Sequence, residues 1–95
     1  MSGPVPHARR FLVHGRVQGV GFRYFVLSEA RSLGISGFTR NLPDGNVEVQ
    51  AAGEVEALEA LARTLEQGPA HSRVDGVTAQ ELETVPPWRE FKITH

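Results

Sequence analysis

The sequence predicts an α+β domain in which two helices pack on one face of an antiparallel sheet. Two segments carry apolar residues at the spacing of one helix face, and the segments around them are short and rich in β-branched or aromatic residues. Turns containing glycine or proline separate these segments, so the predicted order is β-α-β-β-α-β followed by a short terminal strand. This order is the βαββαβ pattern of ferredoxin-like sandwiches.

The N-terminal part of the chain contains the first predicted strand. Its apolar core is the segment Phe11 to Val13, and the strand is predicted to end near Gly15. Residues 1–8 include two prolines and no apolar run, so we expect them to form a flexible N-terminal arm. We expect residues 9–95 to form a single domain, because a chain of this length supports one hydrophobic core.

Both predicted helices follow from the spacing of their apolar residues. The first is predicted over about residues 22–33, where five apolar residues share one face and Gly34 stops the pattern. The second starts at Val55 and is closed by Gly68 and the proline after it. Its polar face is acidic, which is typical of a solvated surface.

The remaining strands are predicted from alternation and turn chemistry. Residues 35–42 and 47–52 flank the turn Pro43-Asp44-Gly45, which predicts a β-hairpin. Residues 74–84 are β-prone with imperfect alternation, and a Pro-Pro pair ends them. Phe91 to Ile93 predicts a short last strand.

Composition excludes several classes of function. The 95 residues contain no cysteine, which excludes disulfides, thiolate metal sites and cysteine nucleophiles. The longest apolar run, Tyr24 to Leu27, is far too short for a membrane-spanning helix. A formal net charge of −1 gives no general attraction to nucleic acid or to an anionic membrane. We therefore expect a cytoplasmic monomer that binds any anion locally.

The junction between the first strand and the first helix is rich in glycine. Gly15, Gly19 and Gly21 lie within seven residues, and such a loop can direct backbone N–H groups at an anion in front of the helix. A tight strand-to-helix turn that requires positive φ is the alternative. Arg23 favours the anion-binding interpretation over the tight turn. It lies in the first helical turn, where a cation is normally unfavourable and where this helix has no acidic residue.

Two further polar residues are candidates for the same site. Asn41 lies near the end of the second strand, where its carboxamide could orient a water molecule or could simply belong to the following turn. His14 precedes the glycine-rich loop, and alternation alone leaves open whether it faces solvent or the core. The other three histidines are scattered without ligand spacing, so no metal site is predicted.

Two segments carry a resemblance to a known family. Val13 to Arg23, V-H-G-R-V-Q-G-V-G-F-R, resembles the first signature of the acylphosphatases. Gly37 to Gly53, G-F-T-R-N-L-P-D-G-N-V-E-V-Q-A-A-G, resembles the second signature, with its glycines, the aromatic Phe38 and Asn41 at the positions of the family pattern. The likeness extends from about residue 9 to residue 93, and the fold of the family is the ferredoxin-like sandwich.

The resemblance implies hydrolysis of the carboxyl-phosphate bond of acyl phosphates to carboxylate and inorganic phosphate, without a metal or a cofactor. It implies that Arg23 binds the phosphoryl group together with loop amides, and that Asn41 orients the attacking water. The implied phosphate-binding residues are Gln18, Gly19, Val20, Gly21, Phe22 and Arg23. Two positions depart from the family pattern, because Phe38 stands where tryptophan is commoner and His95 where tyrosine or arginine often ends the chain.

The chemistry of acyl phosphates agrees with this implication. A carboxylate leaves without help from a general acid, so positioning and charge stabilisation can carry most of the catalysis. Two alternatives remain. The first is an RNA-binding module, which has the same element order but reads bases on aromatic residues, and residues 46–52 contain none. The second is an acylphosphatase-like domain that holds phosphate for a larger carbamoyl-transfer protein.

Overall fold

The computed structural model of the chain describes residues 6–95. Its seven elements follow the predicted order and are β1 (His7–Arg16), α1 (Phe22–Ser32), β2 (Ser36–Asn41), β3 (Val47–Gly53), α2 (Val55–Gln67), β4 (Arg73–Glu81) and β5 (Phe91–Ile93). Both helices lie within one or two residues of their predicted bounds, because glycine ends each apolar pattern where the structure ends the helix. In this described range, neither helix has the length and apolarity that a transmembrane span requires.

The sheet has five strands in the order β4-β1-β3-β2-β5. The four strands of the βαββαβ unit pair antiparallel, which confirms the predicted ferredoxin-like α+β sandwich. β5 pairs parallel with β2, so the complete sheet is mixed, and the prediction of an antiparallel sheet holds only without β5. No helix lies in the described segment between β4 and β5. The connecting segment therefore stays at the end of the sheet where β4 stops, and β5 starts from that end, parallel to β2.

Side-chain alternation gives the sheet one covered and one open face. On β1 the buried residues Phe11 and Val13 lie opposite Val49 and Val47 of β3, and they pack against both helices. Each of the larger buried side chains contributes about 1.5–3 kcal/mol to the stability of the fold. The other core residues are Val17, Phe22, Val26, Ala30, Ile35, Ala51, Leu58, Leu61, Leu65 and Phe91.

The start of β1 and the end of β4 differ from the predictions. β1 begins at His7, so it includes the last two residues predicted for the N-terminal arm, while residues 1–5 lie outside the described range. Ala8 is buried at the start of this strand, although no apolar pattern marks it. β4 ends at Glu81, three residues before the predicted end.

The open face carries a buried carboxylate that sequence alternation does not predict. Glu48 of β3 is only 1% exposed. Its two carboxylate oxygens accept hydrogen bonds from Arg10 of β1 and Arg40 of β2, and Gln50 donates a further bond. Arg40 lies directly opposite Glu48 in the sheet, so the carboxylate joins three adjacent strands on this face.

The environment of Glu48 predicts a pH-dependent contribution to stability. Burial raises the pKa of the carboxyl, but the hydrogen bonds from Arg10, Arg40 and Gln50 outweigh burial and hold the pKa below its ordinary value. This contribution is therefore complete above the pKa of the unfolded chain, and it is lost as pH falls through the lower pKa of the folded chain.

We expect Glu48→Gln to lower the free energy of unfolding at pH 7 by about 2 kcal/mol, less than for a fully buried pair because both arginines reach solvent. At pH 3, below the ordinary pKa of a glutamate carboxyl, the difference from wild type is expected to shrink, since the carboxyl of the unfolded wild-type chain then binds a proton. Urea unfolding at the two pH values measures this. Glu81→Gln is the matched control, because Glu81 pairs with Arg9 on the surface and its loss is expected to cost less. An equal loss at both pH values would contradict the assignment.

Candidate active site

The predicted site residues meet at one end of the sheet. β1 and β2 both pair antiparallel with β3, so they run in the same direction and end at the same side. Asn41 is the last residue of β2 and lies opposite Val47, which in turn lies opposite Val13 of β1. Because Val13 and Val47 face the helices, Asn41 lies on the helix-covered face, beside the loop that leads from β1 into α1.

The β1–α1 loop, residues 17–21, contains two glycines in the left-handed region of φ. Gly19 has φ 74° and Gly21 has φ 77°, while neither Gln18 nor Val20 has a positive φ. Two glycines of positive φ, separated by one residue of negative φ, form a backbone pattern that can direct N–H groups at an anion. A Cβ atom on Gly19 or Gly21 would meet nothing within 4 Å, so the loop borders open space there. The glycines therefore serve the backbone conformation rather than close packing.

The N-terminus of α1 presents free donors next to this loop. Gly21 caps the helix without any side-chain hydrogen bond, and the first turn contains no acidic residue. The first helical bond runs from the Phe25 N–H to the Gly21 carbonyl at 3.0 Å, so the N–H groups of residues 22–24 have no carbonyl acceptor within the helix. By contrast, α2 starts with Glu54 as its cap and Glu56 in its first turn.

Arg23 lies in the first turn of α1, as predicted, and its side chain is partly buried. None of the ion pairs between residues 6 and 95 includes it. Its positive charge therefore adds to the positive end of the helix dipole without compensation from a neighbouring carboxylate. The loop, the helix end and the guanidinium together suit a doubly charged anion such as a phosphoryl group.

Gln18 has a role that sequence reasoning missed. Its side-chain Nε2 donates to the Leu42 carbonyl at 2.8 Å and to the Asn46 carbonyl at 2.9 Å. These carbonyls belong to the hairpin turn, residues 42–46, that follows Asn41. The side chain therefore connects the β1–α1 loop to the hairpin, and only the backbone of Gln18 is left to contribute to anion binding. The contact joins residues 24 apart in the chain, so no local sequence signal reveals it.

His14 lies away from this group of residues. It follows Val13, whose side chain is in the core, and it lies opposite Gly76 of β4. Alternation therefore places its side chain on the open face of the sheet. A contribution of His14 to the chemistry at the helix-covered end has no support in this arrangement.

Comparison with known proteins places this chain in a family. The acylphosphatase family model matches residues 9–93. An acylphosphatase of Chlorobaculum tepidum is 49% identical over 82 residues, which cover 86% of this chain and 89% of that protein. The crystal structure of an acylphosphatase from Bacillus subtilis matches with a TM-score of 0.91 and 36% identity, covering 94% of this chain and 99% of that one.

A larger protein contains a similar domain. The crystal structure of full-length HypF in its phosphate- and nucleotide-bound form matches 99% of this chain with a TM-score of 0.87 and 30% identity. The match covers only 12% of the HypF chain. Family model, relatives of similar length and solved structures agree over almost the whole of the described fold. The chain thus belongs to the acylphosphatase family, the hydrolases that act on acyl phosphates.

Proposed function

We propose that this chain hydrolyses acyl phosphates by direct attack of water on phosphorus. In this proposal the backbone N–H groups of residues 18–22 and the Arg23 guanidinium hold the phosphoryl group, and Asn41 orients the water. The observation that carries it is the uncapped N-terminus of α1 behind a loop of alternating φ, at the same sheet end as Asn41. One chain supplies all of these groups, so we propose that a monomer suffices.

The phosphoryl oxygens would occupy the concave side of the β1–α1 loop. Backbone donors are fixed by the fold, so they need no reorganisation as negative charge moves during the reaction. Arg23 adds a permanent charge with a planar fork of donors that matches two phosphoryl oxygens. The anion would also remove the unfavourable interaction between Arg23 and the helix N-terminus.

Asn41 is suited to orient a neutral nucleophile. Its Oδ1 can accept a hydrogen bond from water while Nδ2 donates to a phosphoryl oxygen, which aligns the water with phosphorus. A bond then forms between the water oxygen and phosphorus, and the bond from phosphorus to the acyl oxygen breaks with its electron pair on the carboxylate. Both protons of the water stay with the phosphate product, one on the incoming oxygen and one on a phosphoryl oxygen, so the products are the carboxylate and H2PO4−. Because the carboxylate is a weak base, no general acid and no metal are required in this mechanism.

A second candidate is a domain that binds phosphate in the service of a larger protein. The HypF match supports it, because nearly all of this chain corresponds to a small part of that protein. The two candidates share the phosphate site but differ in turnover. Asn41 has a chemical task only in the hydrolase.

The experiment that separates them is hydrolysis of benzoyl phosphate by the purified protein in excess EDTA. We expect turnover in the ordinary enzymatic range, about 1–10³ per second, with no change when the chelator is replaced by Mg²⁺. Inorganic phosphate is expected to inhibit competitively. Calorimetry with inorganic phosphate supplies the other arm: phosphate binding without turnover would favour the domain that serves a partner, and loss of turnover in EDTA would contradict the metal-free mechanism.

A further inference from the structure

We infer that Gln18 is a positioning residue of the hydrolysis, which fixes the distance between the bound phosphoryl group and the water held by Asn41. This inference rests on the proposed function. It assigns Gln18 a task that differs from phosphate binding, because its side-chain amide is directed at the hairpin turn, residues 42–46.

The sheet order explains why a side chain must make this connection. β3 lies between β1 and β2, so no ladder of backbone hydrogen bonds joins the end of β1 to the end of β2. The phosphate donors follow β1, whereas Asn41 ends β2. Within residues 6–95, the hydrogen bonds between the β1–α1 loop and the hairpin turn are the two that Gln18 donates. Without them, the two halves of the site are related through the strand between them and through the packing of α1 on the sheet, with no direct hydrogen bond.

The two acceptors of Gln18 are the carbonyls that close the hairpin. The Asn46 carbonyl also accepts the Leu42 N–H at 2.8 Å, and the Leu42 carbonyl also accepts the Gly45 N–H at 3.1 Å. Gln18 Nε2 thus bonds to both partners of the closing pair, and Leu42 is the residue bonded directly to Asn41. Because both acceptors are carbonyl oxygens, the contact requires a donor with two N–H groups, which the side-chain amide of Gln18 supplies.

The expected effect follows from the sensitivity of catalysis to alignment. A displacement of about 1 Å between reacting groups can cost about 100-fold in rate, while binding of one of the two groups is unaffected. We therefore expect Gln18→Met, which keeps the length of the side chain and removes its donor, to lower kcat for benzoyl phosphate about 10- to 100-fold. The inhibition constant of inorganic phosphate is expected to stay within about threefold, because the backbone donors and Arg23 remain.

The matched control is Arg31→Met. Arg31 Nη2 donates to the Phe91 carbonyl at 3.3 Å, so this change also removes a side-chain bond to a backbone carbonyl, but in the last turn of α1, away from the site. We expect its kcat to equal that of wild type. Circular dichroism and urea unfolding of both variants separate a loss of fold from a loss of alignment. Gln18 lies outside the core, so we expect Gln18→Met to be folded.

A double variant separates positioning from other roles. If Gln18 acts through Asn41, Gln18→Met combined with Asn41→Ala is expected to be no slower than Asn41→Ala alone. Additive losses would overturn the inference, as would wild-type kcat in Gln18→Met or a loss of phosphate affinity as large as that of Arg23→Ala. Failure of the proposed function is visible separately, because wild type itself would then not hydrolyse benzoyl phosphate.

Discussion

Replacing Asn41 with alanine is expected to lower kcat for benzoyl phosphate by about 100- to 10,000-fold and to leave the affinity for inorganic phosphate within about threefold of wild type. Asn41 ends β2 on the helix-covered face, and its carboxamide is the group proposed to hold the attacking water. An alanine at this position leaves the backbone donors in place but lets the water rotate and exchange. The loss is therefore expected in the chemical step and not in binding.

Steady-state kinetics with benzoyl phosphate and inhibition by inorganic phosphate measure the two effects separately. Gln80→Ala is a suitable control, because it removes a carboxamide of similar chemistry from an exposed position on β4. It is expected to have wild-type kinetics. Parallel losses of kcat and of phosphate affinity in Asn41→Ala would mean that Asn41 binds the phosphoryl group, contrary to the proposed division of roles.

Replacing Arg23 with alanine is expected to weaken binding of inorganic phosphate by at least about 10-fold and up to about 100-fold, which corresponds to charged hydrogen bonds worth about 1.5–3 kcal/mol. The same change is expected to raise the stability of the free protein by about 0.3–1 kcal/mol, because it removes a cation from the first turn of α1. Opposite signs for binding and stability are the signature of a residue placed for its ligand.

Isothermal calorimetry with phosphate and urea unfolding of the free protein test both parts. Arg63→Ala changes the net charge by the same amount from an exposed position on α2, and it is expected to leave phosphate affinity unchanged. Arg23→Lys keeps the charge without the planar fork and is expected to have intermediate affinity. If Arg23→Ala were to bind phosphate as tightly as wild type, the assignment of the anion site would be wrong.

Local patterns were sufficient for most of the fold. Helical periodicity and the glycines that end it predicted α1 and α2, and turn chemistry predicted the hairpin of β2 and β3. The positive φ values of the β1–α1 loop were predictable for the same reason, because glycines at a strand-to-helix junction indicate them. The proposal of an anion at this loop likewise rests on local features, since Arg23 departs from the rules of helix capping. The position of Asn41 at the end of β2 followed from the hairpin.

Features that depend on distant residues were not predictable. Glu48 looks like a solvated residue in an alternating strand, and its burial becomes favourable only because Arg10 and Arg40 lie beside it in the sheet. Gln18 looks like part of the glycine-rich loop, although its side chain bonds to the hairpin turn. The parallel direction of β5 depends on the path of residues 82–90, which have no regular structure and so no periodic signal.

The position of β1 between β3 and β4 also determines when this protein can acquire its activity. Arg9 of β1 bonds to Glu81 of β4, which is 72 residues further along the chain, and the last pairs of the same ladder lie immediately before the β1–α1 loop. Strands that are this far apart in the sequence pair slowly, and their pairing is completed late in folding. On the ribosome, a nascent chain is therefore expected to bind phosphate only after β4 has emerged, although every residue of the site has been synthesised long before.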